Sequence, residues 1–140
     1  MRDIWHINIH CSDSDYDYHD NVESIYQWHV VEKGWSDIGY NFIILQNGDI
    51  KECRPLTRMP ASVKGHNKGG IGIMLTGRYN FSTAQFKSLR KLVQRLQSEF
   101  NISNDLVKGH NQYKGHFNRG CPNFDVQQVL YGYKGVKQWK

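Results

Sequence analysis

The segment Ser82–Phe100 sets the strongest constraint on how this chain can fold. Phe86, Leu89, Val93, Leu96 and Phe100 repeat along one face at helical spacing, and such a face has to be buried against another element. Ser82 and Gln85 form a capping-box pattern at its start, where a side-chain oxygen satisfies an N–H that the first turn leaves unpaired. The flanking segments supply what this helix can cover. Ile71–Thr76 is an apolar run between glycines, and Tyr40–Leu45 is a β-rich run turned by Asn47-Gly48 into a short partner at Asp49–Cys53, a hairpin signal. Asp3–Cys11 alternates: Trp5, Ile7, Ile9 and Cys11 fall on one side and Ile4, His6, Asn8 and His10 on the other. Ser12–Asp20 is a polar, acidic loop. Asp20 with Glu23 then opens a helix that Gly34 closes. Leu106–His110 reads as a short extended segment, and a last helix follows Pro122, with Phe124, Val129 and Leu130 inward and Gly132 at its end. Strands and helices interleave, with a helix available for each sheet face. The pattern predicts an α/β fold, a single domain over residues 1–140 with a central mixed β-sheet flanked by helices.

Composition narrows the function classes. A chain of 140 residues with 39% hydrophobic and 22% charged residues can bury a core, which excludes wholesale disorder. No apolar run approaches the roughly 18 residues of a membrane span. Met1–His6 has no apolar signal-peptide core, so synthesis in the cytoplasm without an export signal is expected. Three cysteines, none in a CxxC pair, do not make a disulfide framework. The net charge of +5 is uneven: residues 1–70 carry −3 and residues 71–140 carry +8. A basic half suits an anionic partner such as nucleic acid, lipid headgroups or cell-envelope polymers, or simply a soluble surface.

Seven histidines and three cysteines form the pool of metal ligands. No HExxH or similar local pattern is present, so a metal site would have to be assembled from distant segments. His10 closes the first strand on the face opposite Ile7, Ile9 and Cys11. That parity separates it from Cys11, which reads as a core residue, while a strand-end histidine by itself also reads as a hydrogen-bonded or solvated imidazole. The stretch from Gly109-His110 to Arg119-Gly120-Cys121-Pro122 gathers two histidines, a cysteine and basic residues in a loop before a helix. Cys121 could serve there as a ligand or as a small buried hydrophobe. No P-loop, GxGxxG or Ser/His/Asp pattern appears.

Taken in order, these segments resemble the zinc N-acetylmuramoyl-L-alanine amidases, a family that includes small phage amidases and peptidoglycan recognition proteins. The resemblance runs over roughly residues 4–130. It is carried by Ile9-His10-Cys11-Ser12, Gln27-Trp28-His29, Gly34-Trp35-Ser36-Asp37-Ile38-Gly39-Tyr40-Asn41-Phe42-Ile43-Ile44, Ile71–Gly77, Gly109-His110 and Cys121-Pro122-Asn123-Phe124-Asp125. It implies that His10, His110 and Cys121 hold Zn²⁺ and that the reaction is hydrolysis of the amide between N-acetylmuramic acid and L-alanine. It also implies that Tyr40 aims its hydroxyl at the zinc-bound water or the oxyanion, and that Arg119 stabilises the oxyanion. Trp35 and His29 are expected to pack around the site rather than react.

Two departures from the family pattern stand out. Ser62 occupies a slot where relatives usually have histidine, with His66 after the glycine instead, so this wall of the groove is expected to differ. Arg119 stands where phage relatives often carry lysine, and arginine does not readily exchange a proton. The implied partner is peptidoglycan, with anionic envelope polymers as a further candidate. No stable nucleic-acid complex is expected, and the chain is expected to be a monomer. The format resembles a phage endolysin, which reaches the wall after the membrane is permeabilised. The alternatives are a non-catalytic peptidoglycan-binding module of the same fold, a nucleic-acid-binding or regulatory protein, and a glycosidase using Asp13, Asp15 and Asp17, whose flexible loop fixes no carboxylate separation.

Overall fold

The computed structural model describes residues 1–135; Lys137 and Lys140, counted in the basic half, lie outside them. Five strands form one sheet: β1 (His6–Cys11), β2 (Phe42–Ile44), β3 (Ile50–Glu52), β4 (Gly70–Leu75) and β5 (Val107–Gly109). Their order is β3-β2-β4-β1-β5. β1 runs parallel to β4 and β5, β2 runs parallel to β4, and the Asn47-Gly48 hairpin pairs β2 antiparallel with β3. The helices are α1 (Val22–Tyr26), continued by a π-helical stretch over Gln27–Glu32, α2 (Thr83–Phe100) and α3 (Val126–Tyr131). The mixed sheet with flanking helices is the expected architecture. No helix among the described residues is long and apolar enough to cross a membrane.

Strand parity divides the molecule into a structural side and a chemical side. Ile7, Ile9, Ile71, Ile73, Leu75, Phe42, Ile44 and Val107 turn to one face, where Leu89, Leu92, Val93 and Leu96 of α2 and Val126 of α3 complete the main core. On the other face a smaller cluster of Ile43 and Met74 packs with Ile25 of α1 and Ile38. Ile43, Met74 and His10 lie side by side across β2, β4 and β1. The apolar row thus ends at a buried imidazole, at the carboxyl ends of the parallel strands. Ligand sites of open α/β sheets form at these ends.

Several local expectations are corrected. Asn21, not Asp20, caps α1, accepting the Ser24 N–H at 2.8 Å. The Asp20 carboxylate instead accepts from Gln46 N at 3.0 Å and from the Thr76 hydroxyl at 2.5 Å. It ties the acidic loop to the sheet, where two fixed donors outcompete one helix N–H. Trp5 is 52% exposed while Ile4 is buried, the reverse of the expected parity. The N–H groups of Trp5 and His6 both donate to Gly69 O, so alternation is broken just before β1, as at a bulge. α3 begins three residues later than the Pro122 signal suggests, because the Asp125 side chain supplies the cap for Gln128 N.

Candidate metal centre

His10, His110 and Cys121 converge, with one donor atom from each lying within 4.8 Å of the others. Three separated pieces of chain meet here: the end of β1, the residue after β5, and the turn before α3. His10 is almost fully buried. Its Nε2 lies 2.6 Å from Asn8 Oδ1, which also accepts the Ser62 hydroxyl at 2.9 Å. With Nε2 carrying the proton, the lone pair sits on Nδ1, and that atom is 3.9 Å from Cys121 Sγ. The Cys121 sulfur in turn receives the Cys11 backbone N–H at 3.2 Å, an arrangement that favours a thiolate.

The electrostatics suit a cation. Burial, with His110 and His116 nearby, holds His10 well below the usual imidazole range, and burial with His116 and Arg119 lowers His110 to about 4. Both rings are therefore neutral near pH 7 and offer lone pairs. The adjoining Cys11 side chain and burial push the Cys121 thiol up. A coordinated dication reverses that preference, because it binds the thiolate directly. Two imidazole nitrogens and one sulfur match the ligand chemistry of zinc, and three protein ligands leave a fourth tetrahedral position for water or substrate. The residues fit the metal that the resemblance implies.

Tyr40 stands beside this cluster, its ring 5.1 Å from that of His10. Burial raises its phenol well above the ordinary value, so the hydroxyl stays protonated. The neighbouring peptide is fixed by His29, whose Nδ1 accepts the Gly39 N–H at 2.9 Å. Burial, Lys33 and Arg54 lower His29 to about 4, which keeps that acceptor neutral. The Trp35 ring lies 4.6 Å from that of His29, tilted against it. His29 thus packs between the Trp35 and Tyr40 rings. Gly39 itself has no room for a side chain, since a Cβ there would lie 2.5 Å from Ala61 O.

A groove of about 330 Å³ runs from the metal cluster past Arg119, Ser62 and Lys64, and a second hollow of about 310 Å³ lies beside Tyr40, Ser12 and Lys33. Arg119 lines the first groove, and its Nε donates to His116 Nδ1 at 3.0 Å. Of the departures from the family pattern, Ser62 is in the groove wall and reaches His10 through Asn8. His66 turns away, its ring tilted against Tyr113 at 4.9 Å and its Nε2 3.0 Å from Lys114 O. Cys11 is buried beside the cluster without being one of the three convergent donors, and Cys53 is part of the packing around the smaller core. The acidic loop is committed to structure: Asp15 accepts the N–H groups of Arg78, Tyr79 and Asn80, and Asp13 pairs with Arg78 at 3.2 Å.

Sequence reasoning missed two residues. Asn8 shares a strand face with His10, a relation that alternation does reveal. His116 bridges His110 and Arg119. Its presence in the histidine-rich loop was the only signal, because the loop's path is not periodic.

Comparison with known proteins identifies the family. Residues 1–124 match the family model described as N-acetylmuramoyl-L-alanine amidase. The endolysins of Enterobacteria phage T3 and Escherichia phage T7 are each 32% identical over 130 residues, covering 87% of this chain and 82% of theirs. The amidase LysC from Clostridium intestinale URNW superposes with a TM-score of 0.73 at 26% identity, over 91% of this chain and 83% of that one. On the extent of these matches, the chain belongs to the N-acetylmuramoyl-L-alanine amidase family.

Proposed function

We propose that this protein is a zinc-dependent amidase of the phage endolysin type, cutting the bond between the lactyl group of N-acetylmuramic acid and L-alanine in peptidoglycan. The observation that carries the reading is the convergence of His10, His110 and Cys121 at one end of a groove. His10, His110 and Cys121 would hold a zinc ion there, which would supply a Lewis acid and lower the pKa of water toward neutrality. His10 turns its Nε2 proton away from the centre toward Asn8, and Cys121 would add negative charge that the Cys11 N–H helps to hold. Tyr40, kept protonated by burial, donates its hydroxyl hydrogen to oxygen at the reacting carbon. Arg119, always charged, stabilises the developing oxyanion without exchanging a proton. The glycan and stem peptide extend into the two hollows on either side. We read the wall as reached after the membrane is opened, with anionic wall polymers as a further partner for the basic half.

The test is metal analysis of the purified chain together with digestion of isolated cell walls. One zinc per chain and release of L-alanine amino termini are expected. Reducing sugars released without new amino termini would overturn the amidase reading, and wall binding without cleavage would favour the non-catalytic module.

A further inference from the structure

Lys64 belongs to the groove wall, yet its backbone carbonyl reaches the metal cluster through one side chain. His116 Nε2 lies 3.0 Å from Lys64 O. A carbonyl oxygen has no proton to give, so Nε2 of His116 carries the hydrogen and donates it. On the other side of the same ring, the Arg119 Nε–H donates to Nδ1 at 3.0 Å, so Nδ1 holds a lone pair. These two bonds specify one neutral tautomer for His116. His110 Nε2 faces the same lone pair at 3.2 Å, so Nδ1 is shared by Arg119 and His110 in a three-centre arrangement. Two lone pairs at this distance would repel, so the hydrogen lies on His110 Nε2 and its own lone pair on Nδ1.

We infer that His116 is a positioning residue of the metal centre, whose Lys64-anchored ring dictates which nitrogen of His110 is free to coordinate. The inference rests on the zinc reading above and adds an outer partner to it. Such partners orient ligating imidazoles and set their tautomer. The anchor is rigid: Asn67 Oδ1 accepts the N–H groups of Ser62 and Val63 at 2.9 Å each, and Val63 is fully buried. His116 itself is 7% exposed, so water does not readily replace its bonds. The same ring holds Arg119. One side chain therefore couples the groove wall, a metal ligand and the cation expected to face the oxyanion.

The test uses the full chain and two readouts besides activity. Long-range nitrogen–proton NMR on the wild-type histidines reads the tautomers directly and needs no substitution. Hydrogen on Nε2 of both His116 and His110 is expected, and hydrogen on Nδ1 of either would overturn the inference. Zinc affinity is then measured by competition with a chromogenic chelator for wild type, His116→Phe and His116→Asn, with a melting curve for each. His116→Phe should weaken zinc binding by about 10- to 100-fold. His116→Asn, whose Oδ1 can stand in for the Nδ1 acceptor, should recover most of that loss. Zinc binding by His116→Phe within twofold of wild type would overturn the inference, as would equal losses in both variants that track their melting temperatures. Absence of zinc binding by the wild type would instead defeat the metal reading, while the NMR tautomers would still decide the role of His116.

Discussion

At the scale of single residues, the metal centre rests on donor chemistry. On the proposed zinc reading, Cys121→Ser replaces a sulfur that would bind the metal as thiolate with a neutral hydroxyl, so zinc content should fall and wall hydrolysis should cease, whereas Cys53→Ser should retain zinc. Metal analysis and turbidity loss of wall suspensions read both. If Arg119 is the oxyanion donor we propose, Arg119→Ala should cost on the order of a hundredfold in turnover, with Arg119→Lys keeping much of the rate. Turnover by zinc-replete variants decides this. His29 makes a pH-dependent contribution. Folding lowers its pKa to about 4 through burial and the charges of Lys33 and Arg54. Between that value and the unfolded value of about 6.5, the unfolded chain binds a proton that the folded chain refuses. Stability therefore rises with pH across this window and is fully present above it. His29→Asn, which keeps an acceptor for Gly39 N–H, should flatten the dependence by about one proton in melting curves between pH 4 and 7.

Among the elements, α2 is the one whose sequence and surroundings agree most fully. Ser82 Oγ accepts Gln85 N at 3.0 Å, and Gln85 Oε1 accepts Ser82 N at 2.9 Å, the reciprocal pair its sequence predicts. The Ser82 hydroxyl also donates to Gln46 O at 2.5 Å, stapling the helix start to the β2–β3 hairpin. Ser82→Ala should cost about 1–2 kcal/mol, the upper part of the range for a lost cap, measured by denaturant unfolding. The segment Gly34–Tyr40 behaves differently. It has no regular structure of its own and is held by His29, Arg54 and the Pro60–Ala61 turn through backbone contacts. Gly39→Ala would press a Cβ onto Ala61 O. Displacement of Tyr40, seen as lost turnover with zinc retained, is the expected outcome.

For the whole molecule, the sheet separates support from chemistry. α2 covers the core face, and its outer surface exposes Lys87, Arg90, Lys91 and Arg95. The metal cluster lies on the opposite face with α1. A basic helix remote from the groove can attract an anionic polymer without obstructing the reaction. Reversing two of these charges, as in Arg90→Glu with Arg95→Glu, should weaken binding to anionic walls and its salt dependence. Hydrolysis of a small soluble muropeptide should be unchanged. Sedimentation of protein with walls across a salt series, beside turnover on the soluble substrate, separates the two effects.

The sequence by itself determined what depends on periodicity and on local chemistry. The face of α2, the strand parity that sets His10 apart from Ile7 and Ile9, and the Asn47-Gly48 hairpin follow from spacings of two to four residues, which local sterics read directly. The resemblance placed His10, His110 and Cys121 in one set, and the fold brings the three together. Tertiary structure decided whatever depends on competition between distant partners. Asp20 abandoned its helix for Gln46 and Thr76, and His66 faced Tyr113 instead of the groove. His116 became the link between Lys64 and His110, across a separation of more than forty residues. A hydrogen bond between chain segments that far apart leaves no spacing in the sequence, because its geometry exists only once the sheet has set the loops side by side.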